Sequence, residues 1–151
     1  MPRGRYPLQA RVAAETRLPS LSPMDIQRPL LAMIDEAQSG DIVRIDITLG
    51  FAGELHAGSA EGAADLSHRA RIVGEATLRA VEHLSGDLLS FDLSAVATQD
   101  LGPVQIALAQ VRESGWSDYL IGSSLVRDGD SATATAKAVL DAVNRRIART
   151  V

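Results

Sequence analysis

From Asp41 onward the apolar residues fall on every second position: Val43, Ile45, Ile47 and Leu49 alternate with Arg44, Asp46 and Thr48. A period of two puts one set of side chains on one face of an extended chain, which is a strand with one face turned to a core. Gly50 and Gly53 then bracket a turn, and Glu54 to Ala57 begins a return strand. Further along, Leu89, Phe91, Leu93 and Ala95 alternate, followed by Val104, Ile106 and Leu108 after the turn Asp100-Leu101-Gly102-Pro103. Beyond Ser114-Gly115 the segment Trp116 to Val126 reads as a further strand, with Tyr119, Ile121 and Leu125 on one face.

Two stretches change to the helical period. Leu66, Val73, Thr77, Ala80, Val81 and Leu84 share a face in the first, and Ser85-Gly86 ends it. Gly74 in its middle costs up to about 1 kcal/mol against alanine, which points to close helix–sheet packing. Ala136, Leu140, Val143 and Ile147 line the second, which runs to about Arg149 with Arg145, Arg146 and Arg149 where cations favour the helix dipole. The fold class expected is α+β, in the order ββα-βββα, with antiparallel sheets backed by helices. Gly58 to Ala64 is expected to be a small-residue loop leading into the first helix.

Ahead of this lies a segment of different texture. Residues 1–22 hold Pro2, Pro7 and Pro19 without sustained periodicity and read as an extended arm. Ser22-Pro23 is a plausible helix start, and Ile26, Leu30, Ile34 and Ala37 then share a helical face, with Pro29 inside the pattern. The expected division is therefore an arm and helix over 1–40 and the α+β domain over 41–151.

Charge narrows the function classes. The chain carries −4 overall, yet Arg3, Arg5, Arg11 and Arg17 against Glu15 give residues 1–20 a net +3, leaving −7 for the rest. An acidic body disfavours nucleic acid, whose phosphates supply most non-specific affinity. A double-stranded-RNA-binding module has the α-β-β-β-α order that residues 65–149 mimic, but the basic loop before its last helix is missing. No stretch approaches the roughly 20 apolar residues of a membrane helix. With no cysteine, disulfides, thiolate metal sites and thiol nucleophiles are excluded, in keeping with a cytoplasmic protein.

The chemistry-bearing residues form no catalytic pattern. His56, His68 and His83 lack ligand spacing for a metal, and no G-x-S-x-G elbow supports a serine nucleophile. Gly58-Ser59-Ala60-Glu61-Gly62 has neither the lysine nor the spacing of a phosphate loop. Asp128-Gly129-Asp130-Ser131 resembles half a calcium loop without its glutamate, and reads as a turn with a helix cap. Trp116 beside Tyr119 is either an interface anchor or a cover for one end of a sheet.

The two halves share local texture. His56-Ala57-Gly58-Ser59 parallels Leu120-Ile121-Gly122-Ser123, and Ala76-Thr77-Leu78-Arg79-Ala80-Val81 parallels the segment Lys137 to Val143. Thr135-Ala136-Lys137-Ala138-Val139-Leu140-Asp141-Ala142-Val143-Asn144-Arg145 resembles the final helix of the C-terminal regulatory, or dimerisation, domain of 2-isopropylmalate synthase. Ile121-Gly122-Ser123 sits where that family has its glycine strand, and Ala57 to Gly62 where it has a glycine-rich approach to a helix. The resemblance covers about 110 residues and implies paired strand-and-helix units, dimerisation, and an amino-acid ligand held near helix N-termini. The family's catalytic barrel and its metal-binding residues are absent here, and Glu61 and Asp65 stand where the family is neutral.

The expectation is a non-catalytic, homodimeric regulatory module without a cofactor, sensing a small carboxylate-bearing metabolite. Gly58, Ser59, Gly122, Ser123, Asp130, Ser131 and Thr133 are the candidate ligand positions, offering backbone N–H groups and hydroxyls at two helix starts. The rival expectation is a structural adaptor that docks a protein partner through its N-terminal arm and helix.

Overall fold

A computed structural model describes residues 28–150. The chain runs β1 (Leu30–Ser39), β2 (Ile42–Phe51), β3 (Glu54–Ala63), α1 (Leu66–Leu84), β4 (Phe91–Leu101), β5 (Val104–Glu113), β6 (Tyr119–Leu125) and α2 (Ser131–Thr150). The strands form two antiparallel three-stranded sheets, β1-β2-β3 and β4-β5-β6. Helix α1 packs on β2 and β3 and reaches β4, while α2 packs on β5 and β6 and barely touches β1. The helices also touch each other, so they form a layer between the inner faces of the two sheets. The α+β class and its duplication are as expected.

Four local expectations are corrected. Leu30–Ser39 is a strand, not the C-terminal part of a helix over 23–38, and residues 23–27 lie outside the described residues. A β-bulge between Leu31 and Met33 is the reason. It puts the inward residues Leu31 and Ile34 three positions apart, so the strand lacks the strict alternation that would mark it, while Leu30 is exposed and Ala37 faces outward beside Arg44. Because β1 pairs with β2 through the turn at Gly40, the domain boundary at 40 falls inside a hairpin. Gly58–Ala63 belongs to β3 and is no loop. Finally, Leu66 is exposed at the first position of α1, whereas the other inward assignments in both helices are buried.

The repeat is far more regular in space than in sequence. The turn glycines Gly40 and Gly102, and again Gly53 and Gly115, lie 62 residues apart (102 less 40, 115 less 53) and all have positive φ. The same interval separates the bulge at Leu31/Met33 from that at Leu93/Ala95. It also superposes the buried helix residues Ala76, Leu78, Ala80 and Val81 on Ala138, Leu140, Ala142 and Val143. Each half therefore repeats one unit, βββα.

One contact anchors each helix to its sheet. A methyl group at Gly58 would stand 2.1 Å from the Ala80 nitrogen and 2.6 Å from the Ala76 carbonyl oxygen. At Gly122 it would stand 2.1 Å from the Ala138 oxygen and 2.4 Å from the Ala142 nitrogen. Helix backbone thus rests directly on strand backbone, which only glycine in the strand and alanines on the helix permit. Around it the core fills with Ile45, Ile47, Leu49, Val73, Val81, Val111, Val139, Val143 and Ile147, all fully buried. Aliphatic side chains of this kind contribute about 1.5–3 kcal/mol each on burial.

The β2–β3 turn carries local strain. Ala52 has φ 52° beside Gly53 at 80°. A left-handed conformation costs a non-glycine residue about 1–2 kcal/mol, and glycine gives back about 0.4–1 kcal/mol through its freer unfolded state. Ala52→Gly is therefore expected to raise stability by about 0.5–1 kcal/mol in denaturant unfolding. A loss of stability would contradict this turn geometry.

Candidate functional site

The duplication breaks at one place. On the β4 side, α1 closes over the strand: the Arg71 guanidinium donates to the Leu93 carbonyl at 2.8 Å. Leu93 also packs so tightly against α1 that a methyl group on Gly74 would lie 2.8 Å from it. On the β1 side Thr133 stands where α1 has Arg71, so no guanidinium seats on the strand, and Ala136 stands where α1 has the close-packed Gly74. The helix also starts later. Asp65 caps α1 eleven residues before Ala76, whereas Asp130 precedes Ala138 by eight (76 less 65, 138 less 130). Three residues are about 4.5 Å of helix, so α2 lacks nearly a turn where α1 covers its neighbouring strand.

The result is a cleft of about 480 Å³ between β1 and the start of α2. Leu31, Ala32, Met33, Ile34 and Glu36 line it from β1, Arg69 from α1, and Asp130, Ala132, Thr133 and Lys137 from α2. Two smaller recesses adjoin it, of about 250 Å³ beside Asp65 and about 160 Å³ beside Ser131, and both share Arg69. Arg69 pairs with Glu36 across the cleft. Its Nε is buried and has no hydrogen-bond partner. Lys137, the chain's single lysine, supplies the second cation. Two cations and two carboxylates thus face a floor of Leu31, Ile34 and Ala132.

Helix α2 begins at this cleft and α1 at the recess beside it, and both are capped by aspartate. Asp65 Oδ1 accepts from the His68 amide at 3.1 Å and the Ser67 hydroxyl at 2.6 Å, with His68 Nδ1 at 2.8 Å. The Ser67 hydroxyl first, and His68 second, hold the Asp65 carboxyl down at about 2. Asp130 accepts from the Thr133 amide at 3.0 Å and the Thr133 hydroxyl at 2.7 Å. Those bonds, the amide first, hold its carboxyl below the ordinary 3.8, with Arg69 adding to the effect.

The structure brings Asp130 and Thr133 to this cleft and Ser131 to the adjoining recess, and places the other four candidates elsewhere. Gly58 and Gly122 are buried under helix backbone, where no ligand has room. Ser59 lies on the outer face of its sheet, opposite Asp46 and 3.4 Å from Arg44 Nη2. The Ser123 amide donates to Asp141 Oδ2 at 3.0 Å. The role expected of the helix-start amides changes too, since Asp130 already occupies the Thr133 N–H. The positive charge of the cleft comes instead from Arg69 and Lys137. Neither was legible as a site residue, because both sit on helix faces like any solvated cation and only the opened cleft gathers them.

The remaining motifs are structural. Asp128 and Gly129 both have positive φ and form the turn that delivers Asp130 to its cap. Trp116, half exposed, has the Arg146 guanidinium 4.4 Å from its ring, and Arg146 Nε lies 2.7 Å from Glu113 Oε1. His83 Nδ1 lies 2.6 Å from the Ala57 carbonyl, which can only accept, so that nitrogen carries the proton. Among the described residues no three His, Asp or Glu side chains cluster as metal ligands, and no helix is long and apolar enough to cross a membrane.

Asp130→Ala is expected to cost about 1 kcal/mol, the usual worth of an N-cap. Because folding lowers this carboxyl's pKa, the contribution is fully present above about pH 4 and is lost as the pH falls through the folded value. The difference between wild type and variant in urea unfolding should therefore shrink toward pH 3. A difference that stays constant would assign the loss to another cause.

The fold and the cleft define a class: a duplicated α+β module with one recess opened by asymmetry between its halves. No protein-family model matches the chain, and a comparison with curated proteins finds no match.

Proposed function

We propose that the chain is a non-catalytic, homodimeric regulatory module that senses a small carboxylate-bearing metabolite in the cleft between β1 and α2. The observation that carries this reading is the broken repeat. The same packing that seals α1 onto β4 leaves the β1 side open, and the opening holds charges of both signs above an apolar floor. Arg69 and Lys137 complement a carboxylate, and Glu36 and Asp130 complement an ammonium group. The floor takes a short aliphatic side chain. A zwitterionic α-amino acid satisfies all three at once, whereas a 2-oxo acid leaves the carboxylates unpaired. The resemblance to the regulatory domain of 2-isopropylmalate synthase supports the same class, through paired strand-and-helix units and a ligand near helix N-termini.

The test is thermal unfolding of the purified protein against a panel of amino acids and 2-oxo acids. A ligand at about 100 times its Kd adds roughly 2.7 kcal/mol, which raises Tm by about 5–10 °C for a chain of this size. Aliphatic amino acids should give the rise and their 2-oxo counterparts should not. Arg69→Ala should abolish it. A flat panel with a sharp transition would remove the sensing reading and favour the adaptor.

A further inference from the structure

The outer faces of the two sheets, equivalent by the repeat, have opposite chemistry. In the first sheet the outward rows are Met33–Thr48–Ala57, Asp35–Asp46–Ser59 and Ala37–Arg44–Glu61. Four of these nine residues are charged, and Arg44 Nε pairs with Asp46 at 3.1 Å. The matching rows of the second sheet are Ala95–Gln110–Ile121, Ala97–Leu108–Ser123 and Gln99–Ile106–Leu125. None is charged, in a chain that is 23% charged. Ile121 is 62% exposed and Leu125 42%. The alternation Val104, Ile106, Leu108 thus marks a strand whose apolar stripe faces away from the helices, since Ala107, Ala109 and Val111 are the buried set.

We infer that this outer face of β4-β5-β6 is where a second copy of the chain docks, sheet against sheet. The inference rests on the reading of the protein as a homodimer and gives that pairing its surface. Three features fit a second copy. The face has a knob beside a hole: Ile121 projects next to a depression of about 230 Å³ floored by Ala95 and Ala97 and walled by Leu108 and Gln110. A twofold axis through the face brings each Ile121 to the partner's small-residue depression, the reciprocal contact an isologous interface requires. Next, the three central rows carry no charge and the row beyond them sets Asp92 opposite Arg112 at the rim, so two copies of an acidic protein meet without burying like charges. Finally, seven residues on each of three strands span roughly 24 by 14 Å. Two such faces, with Leu101, Val104 and Tyr119 at their rims, bury on the order of 1,000 Å² together, the lower bound for a specific pair.

Sedimentation velocity of the full-length chain over a range of concentrations tests this. The wild type is expected to be a dimer. Ile121→Asp and Ser123→Arg, both at outward positions, should each shift it to monomer by at least tenfold in Kd. Asp46→Lys on the charged face should leave it a dimer. Circular dichroism checks the fold of each variant, and Ser123→Arg keeps the test informative if Ile121→Asp unfolds. A dimer that survives both substitutions overturns this surface but leaves the homodimer standing. A wild-type monomer overturns both. Since the chain has no cysteine, Ser123→Cys adds a readout: its thiol should label slowly in the dimer and rapidly on dilution. Slow labelling in a monomer would mean that residues 1–27 of the same chain cover the face, which also overturns the proposal.

Discussion

Gly122→Ala is expected to destabilise the protein by about 3 kcal/mol, at the upper end of the cost of overpacking a core. The added methyl would fall 2.1 Å from the Ala138 carbonyl oxygen and 2.4 Å from the Ala142 nitrogen. These are backbone atoms held in the hydrogen-bond ladder of α2, so they cannot rotate aside as a side chain would. The helix must lift from β6, and the packing of Val139 and Val143 beneath it loosens. A loss of this size lowers Tm by roughly 6–12 °C. Gly58→Ala should behave alike, because Ala76 and Ala80 of α1 stand over it in the same way. Gly62→Ala is the control. There the obstacle is the end of the Ile72 side chain, at 2.8 Å, which can change rotamer. A Gly122→Ala protein within 1 kcal/mol of wild type would mean that the helix does not rest on the strand as described.

Thr133→Arg is expected to erase the ligand-induced rise in Tm while leaving the fold intact. Arg71 is its counterpart in the first repeat, and there the guanidinium reaches the Leu93 carbonyl and helps to close α1 onto β4. Leu31 is the β1 counterpart of Leu93, so an arginine at 133 restores the missing lid and fills the cleft. The Thr133 amide still donates to Asp130, which keeps the cap; only the hydroxyl contact is lost. The rise of about 5–10 °C expected for the wild type should fall to within about 1 °C of zero. Thr133→Ser keeps a small hydroxyl side chain and should retain the response. An arginine variant that still responds fully would place the ligand elsewhere.

Legibility in the sequence followed the strength of the local signal. The strict alternation from Val43 to Leu49 and the apolar faces of both helices were plain, because a buried face imposes its period on every residue along it. The strand β1 was hidden by its bulge and by Glu36 and Gln38. Both share the inner face of Leu31 and Ile34, yet they are polar because the cleft leaves that face uncovered. The glycines at 58 and 122 stood out as a shared motif, but small residues look alike whether they admit a ligand or a helix. Only the distances to Ala76, Ala80, Ala138 and Ala142 separate the two.

For the candidate site the division is similar. Asp130, Ser131 and Thr133 were readable as a helix start, since an aspartate ahead of a helical run has a known local use. Arg69, Lys137 and Glu36 were not, as they come from three elements that no sequence interval connects.

By itself the amino-acid sequence determined the α+β class, most strand positions, both helices and the faint duplication. These depend on periodicity and turn chemistry, which act over a few residues. Tertiary structure alone decided that α2 begins nearly a turn late relative to its contact with β6, and that Thr133 stands where the first repeat has Arg71. It also decided which of two apolar stripes on β5 meets the helices. Each depends on segments far apart in the chain, the first two on equivalent positions about 62 residues apart, and only packing brings such segments together.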